Sequence, residues 1–199
     1  MKSIALIAFV TVLAASLPAS AHEVIYRGIF QDETGTGSLG TGSATLTFDL
    51  DLATMRVEFT FSGLTGNTTA AHLHCCTALP NAGNAGVATV TPSFAFPLGV
   101  KAGSFDQTFD LLPLVPTTTY NAAFITANGG TANSALVALL AGLDADKAYL
   151  NIHTSTAPAG EIRALLHVAP VPMPAAVWLF GSALAGLMGW RRHATLASA

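Results

Sequence analysis

Two neighbouring segments of this chain, residues 44–52 and 55–61, alternate apolar and polar side chains with a period of two. In an extended strand successive side chains point to opposite faces, so the alternation predicts two strands that each bury one face. The residues between them, 51–54, predict a hairpin turn. The side chains expected on the inner face are Leu46, Phe48, Leu50, Val57, Phe59 and Phe61.

Other segments of the chain extend this β pattern. Further strands are expected at residues 70–74, 87–90, 103–111, 147–154 and 160–166. Residues 131–142 have apolar side chains at helical spacing and predict one short helix, and residues 31–43 are rich in Gly, Ser and Thr and predict a loop. Short strands at this spacing predict an all-β domain, built as an antiparallel sandwich or barrel.

The first 21 residues have the three parts of a secretory signal peptide. Lys2 supplies a positive charge, residues 4–13 are apolar, and residues 19–21 (Ala-Ser-Ala) match the small-residue pattern of a cleavage site. A membrane anchor is the alternative, but the apolar run is short for a span. We expect signal peptidase to remove residues 1–21, so that the mature chain begins at His22.

The last part of the chain, residues 169–199, carries a second apolar run. Residues 175–190 contain no charged side chain and are followed directly by Arg191 and Arg192. The run is close to the shortest length that spans a bilayer, and arginines just past a span favour a cytoplasmic end. We therefore predict a transmembrane helix over 175–190 that anchors the chain in the inner membrane with a cytoplasmic C-terminus. A buried core helix is the alternative.

A Pro-rich motif precedes this run, so the tail consists of a motif, an apolar helix and a pair of arginines. The motif and the pair are Val171, Pro172, Met173, Pro174 and Ala175, then Arg191 and Arg192. The tail resembles the VPLPA form of the PEP-CTERM sorting signal, with Met173 where that form has Leu. The resemblance implies cleavage by an exosortase-type membrane protease and display at the cell surface or in the extracellular matrix. An exopolysaccharide or a surface protein would be the partner there.

Residues 22–168, between the two apolar ends, form the part of the chain expected to function. They hold all 11 acidic residues but only five of the eight basic ones, which gives this part a formal charge of −6. The apolar content of the whole chain, 51%, is an average over this acidic part and the two apolar ends. Too few basic side chains are present to follow a phosphate backbone, so nucleic-acid binding is excluded.

Three histidines mark a candidate metal site. His72 and His74 are two residues apart, so on a strand they point to the same face, and His153 lies in another predicted strand. Three converging imidazoles would suit Cu or Zn, with Glu161 or an Asp either as a further ligand or as a group that supports the ligands. The alternative is that these histidines are buried and bond to the backbone, where they fix the loops. At the new N-terminus, His22 either chelates Cu with its α-amino group or binds nothing.

Cys75 and Cys76 are adjacent and directly follow the histidine pair. In an oxidising compartment they would form a vicinal disulfide. Two free thiols, a thiolate ligand to the same metal, and bridges to another molecule are the alternatives. Glu161 and Arg163 share one face of the last predicted strand, so we expect an ion pair on the sheet surface.

The histidines lie in blocks that resemble the CHRD domain, a family first described in chordin and widespread in bacterial exported proteins. The blocks are Phe61-Ser62-Gly63-Leu64, Ala71-His72-Leu73-His74, Gly86-Val87, Gly103-Ser104-Phe105, Ala148-Tyr149-Leu150-Asn151-Ile152-His153-Thr154 and Pro158-Ala159-Gly160-Glu161-Ile162-Arg163. The chain departs from the family pattern at Cys75 and Cys76, where many members have Gly-Pro, and at Ala164, where Gly is usual. Over residues 24–168 the resemblance implies an extracellular β-sandwich, immunoglobulin-like or superoxide-dismutase-like, with no established catalytic activity.

The sequence contains no nucleophile-elbow, P-loop, dinucleotide-binding or His-Glu-x-x-His motif, so we predict no catalytic residue. The function we expect is that of an exported, surface- or matrix-associated binding or structural protein. The alternative is a Cu- or Zn-binding, redox-active metalloprotein that uses the His-x-His pair.

Overall fold

A computed structural model describes residues 22–33, 35–90, 96–170 and 182 of the chain. The strands are β1 (Glu23–Asp32), β2 (Thr41–Asp49), β3 (Thr54–Ser62), β4 (Thr68–Cys75), β5 (Gly103–Asp110), β6 (Ala148–Thr154), β7 (Ile162–Leu165) and β8 (His167–Val168). The helices are α1 (Ala122–Ala127) and α2 (Ala132–Asp144), preceded by a 3₁₀ turn at Pro116–Thr118. The all-β class predicted from the sequence is confirmed.

The strands form one antiparallel sheet in the order β4-β6-β7-β1-β2-β3-β5, with β8 beside β1. The two edges approach each other at one end. There the Thr68 amide donates to the Val100 carbonyl and the Gly99 amide donates to the Thr68 carbonyl, both at 2.9 Å. The sheet is therefore curled around its inner face. Its two halves are joined through β1, which pairs with β2 on one side and with β7 and β8 on the other, so the fold is sandwich-like.

The hairpin of β2 and β3 places its apolar residues in the core, as the alternation predicts. The side chains buried in this way are Leu46, Phe48, Val57, Phe59 and Phe61. Each contributes about 1.5–3 kcal/mol relative to an exposed position. Leu50 was expected beside them but is 41% exposed, because β2 ends at Asp49 and the turn begins there.

Strand β1 lies in the middle of the sheet, yet the sequence prediction omits it. Tyr26 and Phe30 point into the core and are each 1% exposed. Gly28, between them, lies so close to β7 that a Cβ there would overlap the Leu165 carbonyl. Because this glycine replaces an apolar side chain in the alternation, the pattern of β1 is weaker than that of β2 or β3.

Two further expectations about the elements are corrected. Residues 87–90 do not form a strand; Val87 and Thr89 make isolated bridges to His74 and Tyr120. The single expected helix is accompanied by α1, which begins after Asn121 and is six residues long. A helix of six residues is less than two turns, so it shows no apolar periodicity that a sequence could display.

The predicted helix is present as α2, which begins after Thr131 with a capping box formed by the side chains of Thr131 and Ser134. Its buried face packs into the same core as the strands and consists of Ala132, Ala135, Leu136, Leu139 and Leu143. The helix therefore covers part of the open side of the curled sheet, close to the end of β4.

The signal peptide over residues 1–21 and the sorting motif with its transmembrane run, residues 171–199, lie outside the described residues, of which Ser182 alone falls in the tail. Within the described ranges no helix is both long and apolar enough to cross a membrane.

Candidate metal centre

Strands β4 and β6 bring the three histidines to one face of the sheet. They are antiparallel partners, with His72 opposite Asn151 and Ala70 opposite His153, so His153 is a diagonal neighbour of His72. The alternating residues of β4, Ala71 and Leu73, point to the other face and belong to the core. The period-two pattern thus separates a polar site from the apolar core on the same strands.

The three imidazole rings are in contact and buried. The ring centroid of His72 lies 4.8 Å from that of His74 and 4.5 Å from that of His153, and the centroids of His74 and His153 are 5.7 Å apart. One nitrogen from each ring lies within 4.8 Å of the other two. The residues are only 4%, 8% and 9% exposed, respectively. Three nitrogens that are chemically able to bind a metal therefore lie close together in a buried place.

Two backbone carbonyls orient two of these rings. His74 Nδ1 lies 2.8 Å from the Ala85 oxygen, and His153 Nδ1 lies 2.9 Å from the Pro158 oxygen. A carbonyl only accepts hydrogen bonds, so each Nδ1 carries the proton and each Nε2 keeps its lone pair. This is how proteins commonly hold a metal-ligating histidine.

Three further ring nitrogens, one on each histidine, have no hydrogen-bond partner among the residues that the structure describes. They are His72 Nδ1, His74 Nε2 and His153 Nε2, and all three are buried. A buried polar atom without a partner costs about 1–3 kcal/mol. Native structures contain few such atoms, so three on adjacent rings require an explanation.

Burial keeps these rings uncharged. Burial, together with repulsion from neighbouring His153 and His74, lowers the pKa of His72 to about 3. Burial also lowers the pKa of His74 and of His153, against the opposing effect of the hydrogen bonds to Ala85 and Pro158. At neutral pH all three rings therefore present lone pairs.

A layer of further side chains covers the His74 side of the cluster. The Tyr149 ring stacks on His74, with centroids 4.8 Å apart and planes 3° from parallel. The Arg163 guanidinium carbon lies 5.2 Å from the centre of the Tyr149 ring. Arg163 Nη1 is 3.3 Å from Glu33 Oε1, and Asn151 Nδ2 donates to Glu33 Oε2 at 3.3 Å. The cluster therefore lies in a buried polar layer outside the sheet.

Glu161, the expected fourth ligand, is bonded elsewhere. Among the described residues the ligand group comprises the three histidines without it. Its buried carboxylate accepts from Ser38 Oγ at 2.7 Å, from Thr154 Oγ1 at 2.6 Å, and from the amides of Thr65 and Gly66. Each of the two carboxylate oxygens thus accepts two of these hydrogen bonds. The carboxylate therefore links the chain segments around Ser38, Thr65 and Thr154.

The ion pair expected between Glu161 and Arg163 is not formed. Burial of Glu161 beneath the 36–38 and 65–66 turns separates it from Arg163, which pairs with Glu33 instead. His22 is exposed at the other end of β1, where its amide donates to Asp51. It does not belong to the ligand group of the described residues.

Cys75 and Cys76 are bonded to each other in the structure. Cys75 follows His74 on β4 but points to the opposite face, with the core residues, and both sulfurs lie against Gly142 of α2. The sulfur pair therefore lies behind β4 and is separate from the histidine cluster.

Tyr149 and the two carbonyl groups are site components that the sequence prediction missed. Tyr149, Asn151 and His153 alternate along β6, so a period-two reading of that strand would have placed all three on one face. No sequence signal identifies the carbonyls of Ala85 and Pro158, because any residue has a carbonyl and only the loop conformation aims it.

The sequence model of the CHRD domain matches residues 20–166, which include every element from β1 to β7. The chain belongs to the CHRD domain family. The CHRD resemblance seen in the sequence is thereby confirmed, and its blocks at residues 71–74 and 148–154 are the two strands that carry the histidines. Neither the curated proteins nor the solved structures contain a significant match to this chain.

Proposed function

We propose that this CHRD domain binds a copper or zinc ion through His72, His74 and His153. The observation that carries the proposal is the set of three buried nitrogens without hydrogen-bond partners, within 4.8 Å of one another. A purely structural cluster would be expected to bond these atoms to protein groups, as it does at Nδ1 of His74 and His153.

The size and chemistry of the cluster fit such an ion. Zinc lies about 2.0–2.1 Å from an imidazole nitrogen, so two nitrogens on one ion are at most about 4.2 Å apart. Small side-chain rotations would bring nitrogens that lie within 4.8 Å to that spacing. Neutral imidazoles suit copper and zinc, whereas calcium and magnesium prefer oxygen ligands.

The test is a metal titration of the exported full chain with Cu²⁺ and Zn²⁺ in separate experiments. We expect one ion per chain, and loss of this ion in His72→Gln, His74→Gln and His153→Gln. His167→Gln is the matched control, because His167 is exposed and pairs with Asp146 outside the cluster. Equal binding by all four variants, or none by the unaltered chain, would refute the proposal.

We further propose that the domain is exported and displayed at the cell surface or in the extracellular matrix, where it has a binding or structural role. The support is the order of signals in the sequence: a signal peptide, an acidic CHRD domain, and a tail like the VPLPA sorting signal. An exosortase-type protease would process the tail, and an exopolysaccharide or surface protein would be the partner.

The mass of the mature protein tests this second proposal. A chain that begins at His22 and ends near residue 175 is the expected result. An intact C-terminus would contradict sorting and favour a permanent anchor over residues 175–190, and an intact N-terminus would contradict export through the signal peptide.

A further inference from the structure

The loop of residues 83–85, here called the cover loop, lies over the His74 side of the cluster. Its contacts all run to the polar layer around the site. The Ala85 oxygen bonds to His74 Nδ1 at 2.8 Å, and the Ala85 amide donates to the Tyr149 hydroxyl at 3.2 Å. The conformation of this loop therefore sets the orientation of the His74 ring.

Arg163 holds the other end of the cover loop. Its Nη1 donates to the Gly83 carbonyl at 3.0 Å and to Asn84 Oδ1 at 3.3 Å. The same guanidinium caps the Tyr149 ring and pairs with Glu33. Gly83 has a φ of +81°, and a Cβ added there would meet no atom within 4 Å, so no side-chain packing fixes the backbone and the bonds from Arg163 hold its conformation.

Arg163 itself is held in place. Its side chain is 13% exposed and that of Glu33 is 11% exposed, so the pair is shielded from solvent. Asn151 donates to Glu33 from the strand that also carries Tyr149 and His153. The planar guanidinium contacts the cover loop, the Tyr149 ring and the Glu33 carboxylate at the same time. The single ammonium group of a lysine does not reproduce this set of contacts.

We propose that Arg163 is a positioning residue of the metal site, which orients His74 through the cover loop and Tyr149. The inference rests on the proposed function of the three histidines and adds a residue that touches none of their ligand nitrogens. Residues that orient ligating histidines typically change metal affinity by about 10- to 100-fold when they are replaced.

Two substitutions at residue 163 test the inference, with Cu²⁺ and Zn²⁺ as the probes for the full chain. Arg163→Lys keeps a charge for Glu33, and Arg163→Gln removes it. We expect the Kd to rise by about 10- to 100-fold in Arg163→Gln and by less in Arg163→Lys. The electron paramagnetic resonance spectrum of the Cu²⁺-loaded protein should shift in both variants, because the His74 ring is reoriented.

One control and one further test variant separate positioning from stability. Arg56→Lys alters an arginine on β3 that is also paired with carboxylates, Glu58 and Asp106, far from the cluster in the strand order. It should leave both Kd and spectrum unchanged. Tyr149→Phe removes the acceptor of the Ala85 amide but keeps the ring stack on His74, and it should raise the Kd and shift the spectrum. If Arg163→Gln fails to fold, Tyr149→Phe still tests whether the cover loop and Tyr149 orient His74.

The outcomes distinguish this inference from the proposed function. If the chain binds metal, His74→Gln abolishes binding, and Arg163→Lys and Tyr149→Phe keep the original Kd and spectrum, the positioning role is refuted while the metal site stands. If the unaltered chain binds neither ion, both are refuted. A lower unfolding midpoint with an unchanged spectrum of the loaded variants would assign Arg163 a structural role only.

Discussion

Glu161 and the three site histidines are all buried, but the fold bonds them differently. The Glu161 carboxylate accepts from two hydroxyls and two amides, so its charge is fully stabilised. The histidines are neutral and leave one nitrogen each without a partner among the described residues. At the scale of the residue, the first arrangement is that of a structural link, and the second is the one that we propose binds a metal.

Replacing Glu161 with Gln should lower the free energy of unfolding by about 1–3 kcal/mol, because an NH₂ group would then face amide and hydroxyl donors. Burial alone raises the pKa of Glu161, but bonds from Thr154, Thr65 and Gly66 outweigh it and lower the pKa to about 2. The ionised Glu161 carboxylate therefore makes its full contribution to the free energy of unfolding above about pH 4.5, and this contribution is lost as the pH falls toward 2. Chemical denaturation at pH 7 and pH 3 measures it, with the exposed Glu23→Gln as the control. Equal losses in both variants would contradict this role.

The lowered pKa values of the histidines predict acid sensitivity of the metal-free protein. An unfolded histidine binds a proton below about pH 6.5, whereas folded His72 does so only near pH 3. Stability should therefore be constant above about pH 6.5 and decline between pH 6.5 and 3. Thermal unfolding at a series of pH values checks this. His72→Gln should show a shallower decline, and an unchanged slope in that variant would contradict the shift.

At the scale of the element, the alternating pattern was sufficient to predict β2, β3 and the burial of Phe48 and Phe59, because one face of that hairpin is apolar. It also placed His72 and His74 on one face. The pairing of β4 with β6, which brings His153 to them, depends on long-range register that a single sequence does not display. Strand β1 was missed because Gly28 interrupts its alternation at the close approach to Leu165.

Helix α2 contacts the sulfurs of Cys75 and Cys76 at the end of β4, and this contact can be tested by substitution. A Cβ at Gly142 would overlap the sulfurs of both Cys75 and Cys76. Gly142→Ala should therefore destabilise the protein by about 1–3 kcal/mol, although alanine favours a helix. In a chain with Cys75→Ala and Cys76→Ala the same change should be tolerated. Equal destabilisation with and without the sulfurs, measured by denaturant unfolding, would contradict the contact.

At the scale of the whole molecule, one curled sheet carries a single apolar core on its inner face and a polar layer outside β4 and β6. Residues from β1 to β7 and from both helices belong to one buried cluster. The acidic domain of residues 22–168 contains the site that we propose binds metal.

A single core predicts a single unfolding transition, and a bound ion should raise its midpoint. At a free metal concentration of 100 times the Kd, binding adds about 2.7 kcal/mol of stability. Calorimetry with and without Zn²⁺ measures the change, and His72→Gln should abolish it. Two separate transitions would contradict the single core, and an equal shift in the variant would place the ion elsewhere.

X-ray absorption at the metal edge of the loaded protein tests the metal centre most directly. The account predicts three imidazole nitrogens about 2.0 Å from the ion, with no sulfur in its coordination shell. The absence of bound copper or zinc, or ligation by the sulfurs of Cys75 and Cys76, would contradict the assignment of the site to His72, His74 and His153.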